Sequence, residues 1–155
     1  MAGLKFVANN SDELAASTAA WRTMLYVKAA TNVRALIRAL RVSFDGASPT
    51  AAPVKVSIVE LSTDGTMNAI TLRKKDGAAG ETLQSSGSEY KPSGGAEPTI
   101  AAHIWGPVHV HPQGTFVYEF APGEEIHVGG SNRRFGIAVN ADAAVNVACG
   151  LDCEE

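Results

Sequence analysis

The run Val54-Lys-Val-Ser-Ile-Val-Glu-Leu61 constrains the fold more than any other part of this chain. Val54, Val56 and Ile58 alternate with Lys55, Ser57 and Val59, the two-residue period of a strand with one face buried. The linker before it, residues 46–53, holds Pro49 and Pro53, which fix φ and lack an N–H, so it can neither extend a ladder nor become a helix. On its N-terminal side Leu40, Val42 and Phe44 alternate with Arg41 and Ser43. A chain built from such pairs of runs and breakers predicts stacked antiparallel sheets.

The layout recurs. Leu4–Ala8, Trp21–Val27, Met67–Lys74, Thr99–Trp105, Val108–His111, Thr115–Phe120, Glu124–Val128, Arg134–Asn140 and Ala144–Cys149 all read as strands. Asp-Gly, Gly-Pro, Pro-Gly and Gly-Gly punctuation separates them. Phe116, Tyr118 and Phe120 share a face, as do Phe135, Ile137 and Val139, and Val145, Val147 and Cys149. The expected fold is all-β: an antiparallel β-sandwich or jelly roll of about nine or ten short strands. No internal repeat supports a solenoid or propeller.

One element is ambiguous. In Val33–Phe44, Leu36, Ile37 and Leu40 fit a helical face, with Arg34, Arg38 and Arg41 on another. The alternation that follows favours a strand from about Val33 with a kink or bulge near Arg38; a helix in the first half is the alternative. Residues 1–18 form a leading segment or arm, in which Asn9–Thr18 is a loop or one helical turn capped at Ser11-Asp12-Glu13-Leu14. Residues 19–155 form one domain, and residues 75–98, rich in Gly and Ser, are expected as a long polar loop. Either the leading segment or that loop is the place for a contact arm.

At 155 residues, with 45% hydrophobic and 19% charged residues, the chain is long and apolar enough for one real core. A formal net charge of −3 gives no general drive toward nucleic acid or anionic membranes. No apolar run reaches the roughly 18–20 residues that span a bilayer, and the N-terminus does not read as a signal peptide, which predicts synthesis in a cytosol. Cys149 and Cys153 are the only cysteines. Two thiols cannot complete a structural zinc site, so two reduced cysteines are expected, with a local disulfide as the alternative.

Candidate chemistry is sparse. His109-Val-His111 would place two imidazoles on one side of a strand, with His103, Glu119 and His127 as further ligands. The H-x-H strand is similar to that of the cupin family. Glu119 stands further from His111, and His127 sooner, than that pattern requires, and Pro112 cuts the strand. Two half-exposed histidines at a strand end is the ordinary reading. Glu124-Glu125 and Glu154-Glu155 are adjacent pairs, which point oppositely on an extended chain and make no acid–base dyad. Neither a G-x-S-x-G elbow nor a phosphate-binding glycine fingerprint occurs. Arg34, Arg38, Arg41, Arg73, Lys74, Lys75, Arg133 and Arg134 offer a basic patch, but without interleaved aromatics to stack on bases; an acidic protein partner explains them equally well. Trp21 and Trp105 are core or interface anchors, or with Tyr90 an exposed glycan platform. No enzyme activity, catalytic residue, metal or cofactor is expected.

Val42-Ser-Phe-Asp-Gly-Ala-Ser-Pro-Thr-Ala-Ala-Pro-Val-Lys-Val, Asp64-Gly-Thr-Met67, His111-Pro-Gln-Gly, Phe135-Gly-Ile-Ala-Val and Val145-Asn-Val-Ala resemble a group of small virion structural proteins of tailed bacteriophages and prophages. The resemblance covers roughly Trp21 to Leu151 and rests on turn and strand signatures. It implies a head decoration (cement) protein in the virion, assembled in the host cytoplasm. Its partner would be the major capsid protein, and its own state a homo-oligomer, a trimer first. A tail, neck or fibre position and a carbohydrate-binding jelly-roll module are the alternatives. The family carries no active-site residues to transfer.

Overall fold

The computed structural model describes residues 3–11, 13–16, 20–48, 51–75 and 81–155. Among these there is no helix, and thirteen strands form two antiparallel sheets, a β-sandwich. In chain order they are β1 Lys5–Asn9, β2 Leu14–Ala16, β3 Arg22–Lys28, β4 Ala35–Gly46, β5 Val54–Leu61, β6 Asn68–Ile70, β7 Arg73–Lys74, β8 Ser86–Glu89, β9 Ile100–Val110, β10 Thr115–Glu119, β11 Ile126–Val128, β12 Arg134–Asn140 and β13 Val145–Glu154. The first sheet runs β10-β4-β13-β1-β7, with β11 continuing the β10 side of β4 and β2 the β1 side of β13. The second runs β6-β8-β3-β12-β5-β9.

Between the sheets lie fully buried Phe6, Met24, Leu25, Ile37, Leu40, Ile58, Phe135, Ile137 and Leu151, supplied by β1, β3, β4, β5, β12 and β13. The ambiguous element is a strand, and its bulge falls at Arg38. Asp152 pairs with Ala39 and Cys153 with Ile37, so β4 has one residue more than β13 at that point. The extra residue shifts the phase of the buried side chains from Ala35 and Ile37 to Leu40, Val42 and Phe44. That shift creates the helix-like spacing of Ile37 and Leu40.

Three expectations change. The leading segment is not an arm in its described part: β1 lies between β13 and β7, and β2 follows on β13. In place of a capped turn, Asn10 bridges the break between them. Its Nδ2 donates to Val147 O at 2.8 Å and its Oδ1 accepts from Cys149 N–H at 2.8 Å, so the side-chain amide stands in for a peptide of the ladder. Asp12 of the expected cap, and residues 1, 2, 17 and 18, lie outside the described residues.

The polar stretch 75–98 is also built in rather than free, apart from residues 76–80, which lie outside the described residues. β8 pairs with β3 and β6, and Gly87 of β8 lies so close to Leu72 and Ile70 that a Cβ there would stand 2.6 Å from Leu72. The segment after β8 is tied to the second sheet through Tyr90 N–H on Met24 O at 3.0 Å, Thr23 N–H on Glu97 at 2.5 Å and Thr66 N–H on Ala96 O at 2.7 Å. On that outer face Tyr26, Val59, Leu61 and Ala138 form a small second core with Trp21, Met67 and Ile100 packed on it.

Finally, the two runs expected on either side of Gly106-Pro107 are one strand. β9 continues through a cis peptide bond, with φ of 89° at Gly106, and keeps pairing with β5 past several register shifts. A proline tolerates this place because β9 is the end of its sheet, with no ladder on the far side. The thirteen strands exceed the expected number because β2 and β8 are new and the Met67–Lys74 run splits between sheets, β6 in one and β7 in the other.

Candidate interaction surface

β9 ends one sheet and β10 ends the other, and the two edges meet on the same side of the sandwich. Alternation along β10 aims Phe116, Tyr118 and then Phe120 at Trp105 of β9. The Trp105 ring centroid lies 4.9 Å from Tyr118, 5.9 Å from Phe120 and 6.2 Å from Phe116. Tyr118 and Phe120 meet edge-on at 5.0 Å. These four rings close the seam between the sheets, tilted or edge-on to one another except Phe116 and Tyr118, which are near-parallel with centroids 6.4 Å apart. The seam is only half covered: Tyr118 is 37% exposed and Ile104 of β9 40%, whereas Val117, 54% exposed, alternates with the rings and points to the outer face of β10; these are the large apolar side chains most open to solvent among the described residues.

Ser57 pins the edge. Fully buried on β5 where the β5–β9 register shifts, it donates from Oγ to Trp105 O at 2.7 Å and meets His103 Nδ1 at 2.9 Å. The His103 ring in turn lies on Trp21, with centroids 4.6 Å apart. Ser57→Ala is expected to cost about 1–2 kcal/mol, because the Trp105 carbonyl then loses its donor at a bulge. Urea denaturation followed by tryptophan fluorescence measures this; a midpoint equal to the parent's would refute the role.

The histidines do not converge. His103 is engaged as above, and His109 is exposed on β9 opposite Lys55. His111 lies in the turn, its Nδ1 accepting from Gln113 N–H at 3.1 Å. His127 is on β11 of the other sheet, with Nδ1 2.6 Å from Arg34 Nη2, and Glu119 sits on β10 opposite Ala39. The described residues contain no group of three or more His, Cys, Asp or Glu able to hold a metal. The cupin-like constellation is therefore not assembled by them.

The basic side chains do not make one patch either. Arg38 pairs with Glu154 and, at 3.6 Å, Glu125; Arg41 and Lys75 reach the two oxygens of Asp152 at 2.8 and 2.6 Å; Arg133 holds Glu60 and Arg134 holds Asp64. Lys74 is bonded to Glu81 O. Glu154 and Glu155 diverge: Glu154 takes Gly3 N–H at 3.1 Å, whereas Glu155 accepts from Gln84 N–H at 2.7 Å and from Ser85 Oγ at 2.5 Å. Of the aromatics, Tyr90 and Trp105 both pack partly buried against the core, Tyr90 with Arg22 over its ring, and Tyr118 is the exposed one. Cys149 and Cys153 are both buried and unbridged, and burial pushes both thiols far above their usual range, which makes them poor nucleophiles.

Asp64 shows what the acidic residues do. The Arg134 guanidinium, with help from Lys28 Nζ at 3.1 Å, holds its carboxyl well below the usual carboxylate range. A carboxyl with a lowered pKa in the folded state stabilises it above the unfolded value of about 3.9, and that contribution fades as pH falls toward the folded value. Asp64 is 44% exposed, so solvent screening limits its share to about 1 kcal/mol or less. Asp64→Asn is expected to flatten the acid limb of the stability curve below about pH 4, as measured by urea midpoints across pH.

Comparison with family models, curated proteins and solved structures returned no match.

Proposed function

We propose that this chain is a virion structural protein of the head decoration type, an adhesive for other proteins rather than a catalyst. The observation that carries the reading is the half-covered aromatic seam where β9 and β10 meet, with Ile104 exposed on β9 beside it. Clustered, partly buried Trp and Tyr rings with apolar neighbours are the composition of an interface centre. The rigid two-sheet body carries the rings at fixed positions, so little side-chain entropy is lost on contact. The turn and strand motifs that resemble those of phage virion proteins point the same way.

In this reading the seam packs on the major capsid protein of the assembled head and adds contact area between capsomers. Many copies, each with modest contacts, raise particle stability by mass action and avidity. A homo-oligomer, a trimer first, matches a local symmetry axis of the lattice. Heads purified from particles whose genome encodes this chain should carry many copies of it, and heads lacking it should break at lower temperature. Absence of the chain from intact heads sinks the decoration reading, and its recovery with tails in few copies favours the tail or fibre position instead.

A further inference from the structure

At the side of the sandwich away from the seam, the strand lane of β1 and β7 meets the β6 and β8 edge around a polar cavity of about 570 Å³. Glu89, the last residue of β8, lines it and is only 5% exposed. Both of its oxygens are already engaged by Ser11, Oε2 by the backbone N–H and Oε1 by Oγ, each at 2.5 Å. Two donors, one per oxygen, hold the carboxyl group in place. Yet no Lys or Arg among the described residues pairs with it, whereas Asp64, Glu60, Glu97, Asp152 and Glu154 each have a cationic partner. A buried charge without a counter-ion is costly, and each oxygen keeps a further lone pair for a donor.

The same cavity holds the complementary group. Arg73 of β7, beside Val7 in the sheet, lines it and has no carboxylate partner among the described residues. Asn9 and Thr71 add neutral polar groups, and Ile70 an apolar wall.

We propose that this cavity binds a small zwitterion of amino-acid to dipeptide size, its ammonium group on Glu89 and its carboxylate on Arg73. The volume falls in the range of about 300–1,000 Å³ usual for small-molecule sites, and the polar lining suits a ligand charged at both ends. An ammonium supplies the missing counter-charge, and the guanidinium fork matches a carboxylate. The site is independent of the seam, so it gives a surface-binding protein a second, small-molecule specificity.

Titration of the isotope-labelled protein with glycine, lysine and glycylglycine, read by amide chemical shifts, tests this. Saturable shifts are expected at Asn9, Ser11 and Thr71. N-acetylglycylglycine, without the ammonium, and glycylglycine amide, without the carboxylate, are each expected to bind at least about tenfold more weakly than glycylglycine. Arg73→Ala, on the surface, should lower glycylglycine affinity by a similar factor and leave the amide's affinity unchanged. Glu89→Gln should abolish the preference over the acetylated form; if that variant does not fold, the ligand series and Arg73→Ala still decide. Absence of saturable shifts with all three zwitterions, equal binding of the acetylated form, or an Arg73→Ala affinity equal to the parent's would overturn the assignment.

Discussion

Gly136→Ala is expected to destabilise this protein by about 3 kcal/mol or more, enough to leave much of it unfolded or insoluble. Gly136 sits in β12, paired with β3 on one side and β5 on the other. A Cβ there would lie 2.1 Å from Leu25 O and 2.8 Å from Tyr26 Cα, both backbone atoms of β3. Neither can swing away as a side-chain tip does, and moving β3 would pull Met24, Leu25 and Val27 out of the core. Gly129 is the control, because its nearest neighbour for a Cβ is Arg133 Nη1 at 4.0 Å. Gly129→Ala should stay within about 0.5 kcal/mol of the parent in urea denaturation. A Gly136→Ala protein as stable as that control would mean that β3 and β12 do not pair as described.

The second large effect is on binding. Ile104→Asp combined with Tyr118→Asp is expected to weaken attachment to capsids at least about 30-fold, the factor that corresponds to losing a contact of about 2 kcal/mol. Ile104 and Tyr118 are both exposed, so carboxylates there remain hydrated in the isolated protein and cost it little beyond the Tyr118 ring contacts with Trp105 and Phe120. In an apolar interface the same carboxylates would be stripped of water without partners. Copies retained per head after sedimentation measure the effect, with circular dichroism confirming that the sheets persist. Undiminished retention would remove the seam from the proposed contact, whatever the protein's place in the particle.

How much of this was legible in the sequence depended on whether a segment's partner was local. β5, β12 and most of β4 are visible as alternation, because large apolar side chains meet the main core at every second position; that β5 and β12 are covered on the other face too, at Ser57, Val59 and Ala138, is not. The bulge at Arg38 is visible too, as a phase slip between Ile37 and Leu40. β8 is not. Ser86-Gly-Ser-Glu89 has the composition of a loop, and becomes a strand only because β3 offers an open ladder beside it. The buried Glu89 is hidden for the same reason, since its burial depends on Ser11, which is 78 residues away. Nor does local sequence reveal that Arg38, Arg41 and Arg134 face carboxylates distant in the chain, so these basic residues read as a patch when they are a set of pairs. The aromatic row of β10 was visible as one face; that it meets Trp105 across the two sheet edges follows from topology alone.

The place of β1 in the interior of its sheet has a consequence for biosynthesis. The first strand leaves the ribosome early, but its ladder is β13, with Lys5 opposite Glu154 and Asn9 opposite Gly150. Until that stretch has been translated, β1 has only the short β7 beside it, opposite Phe6 and Val7, and the nascent chain carries a largely unpaired apolar segment. Closure of this sheet therefore waits for the translation of β13, and a chain stopped before β13 would leave β1 without its main partner.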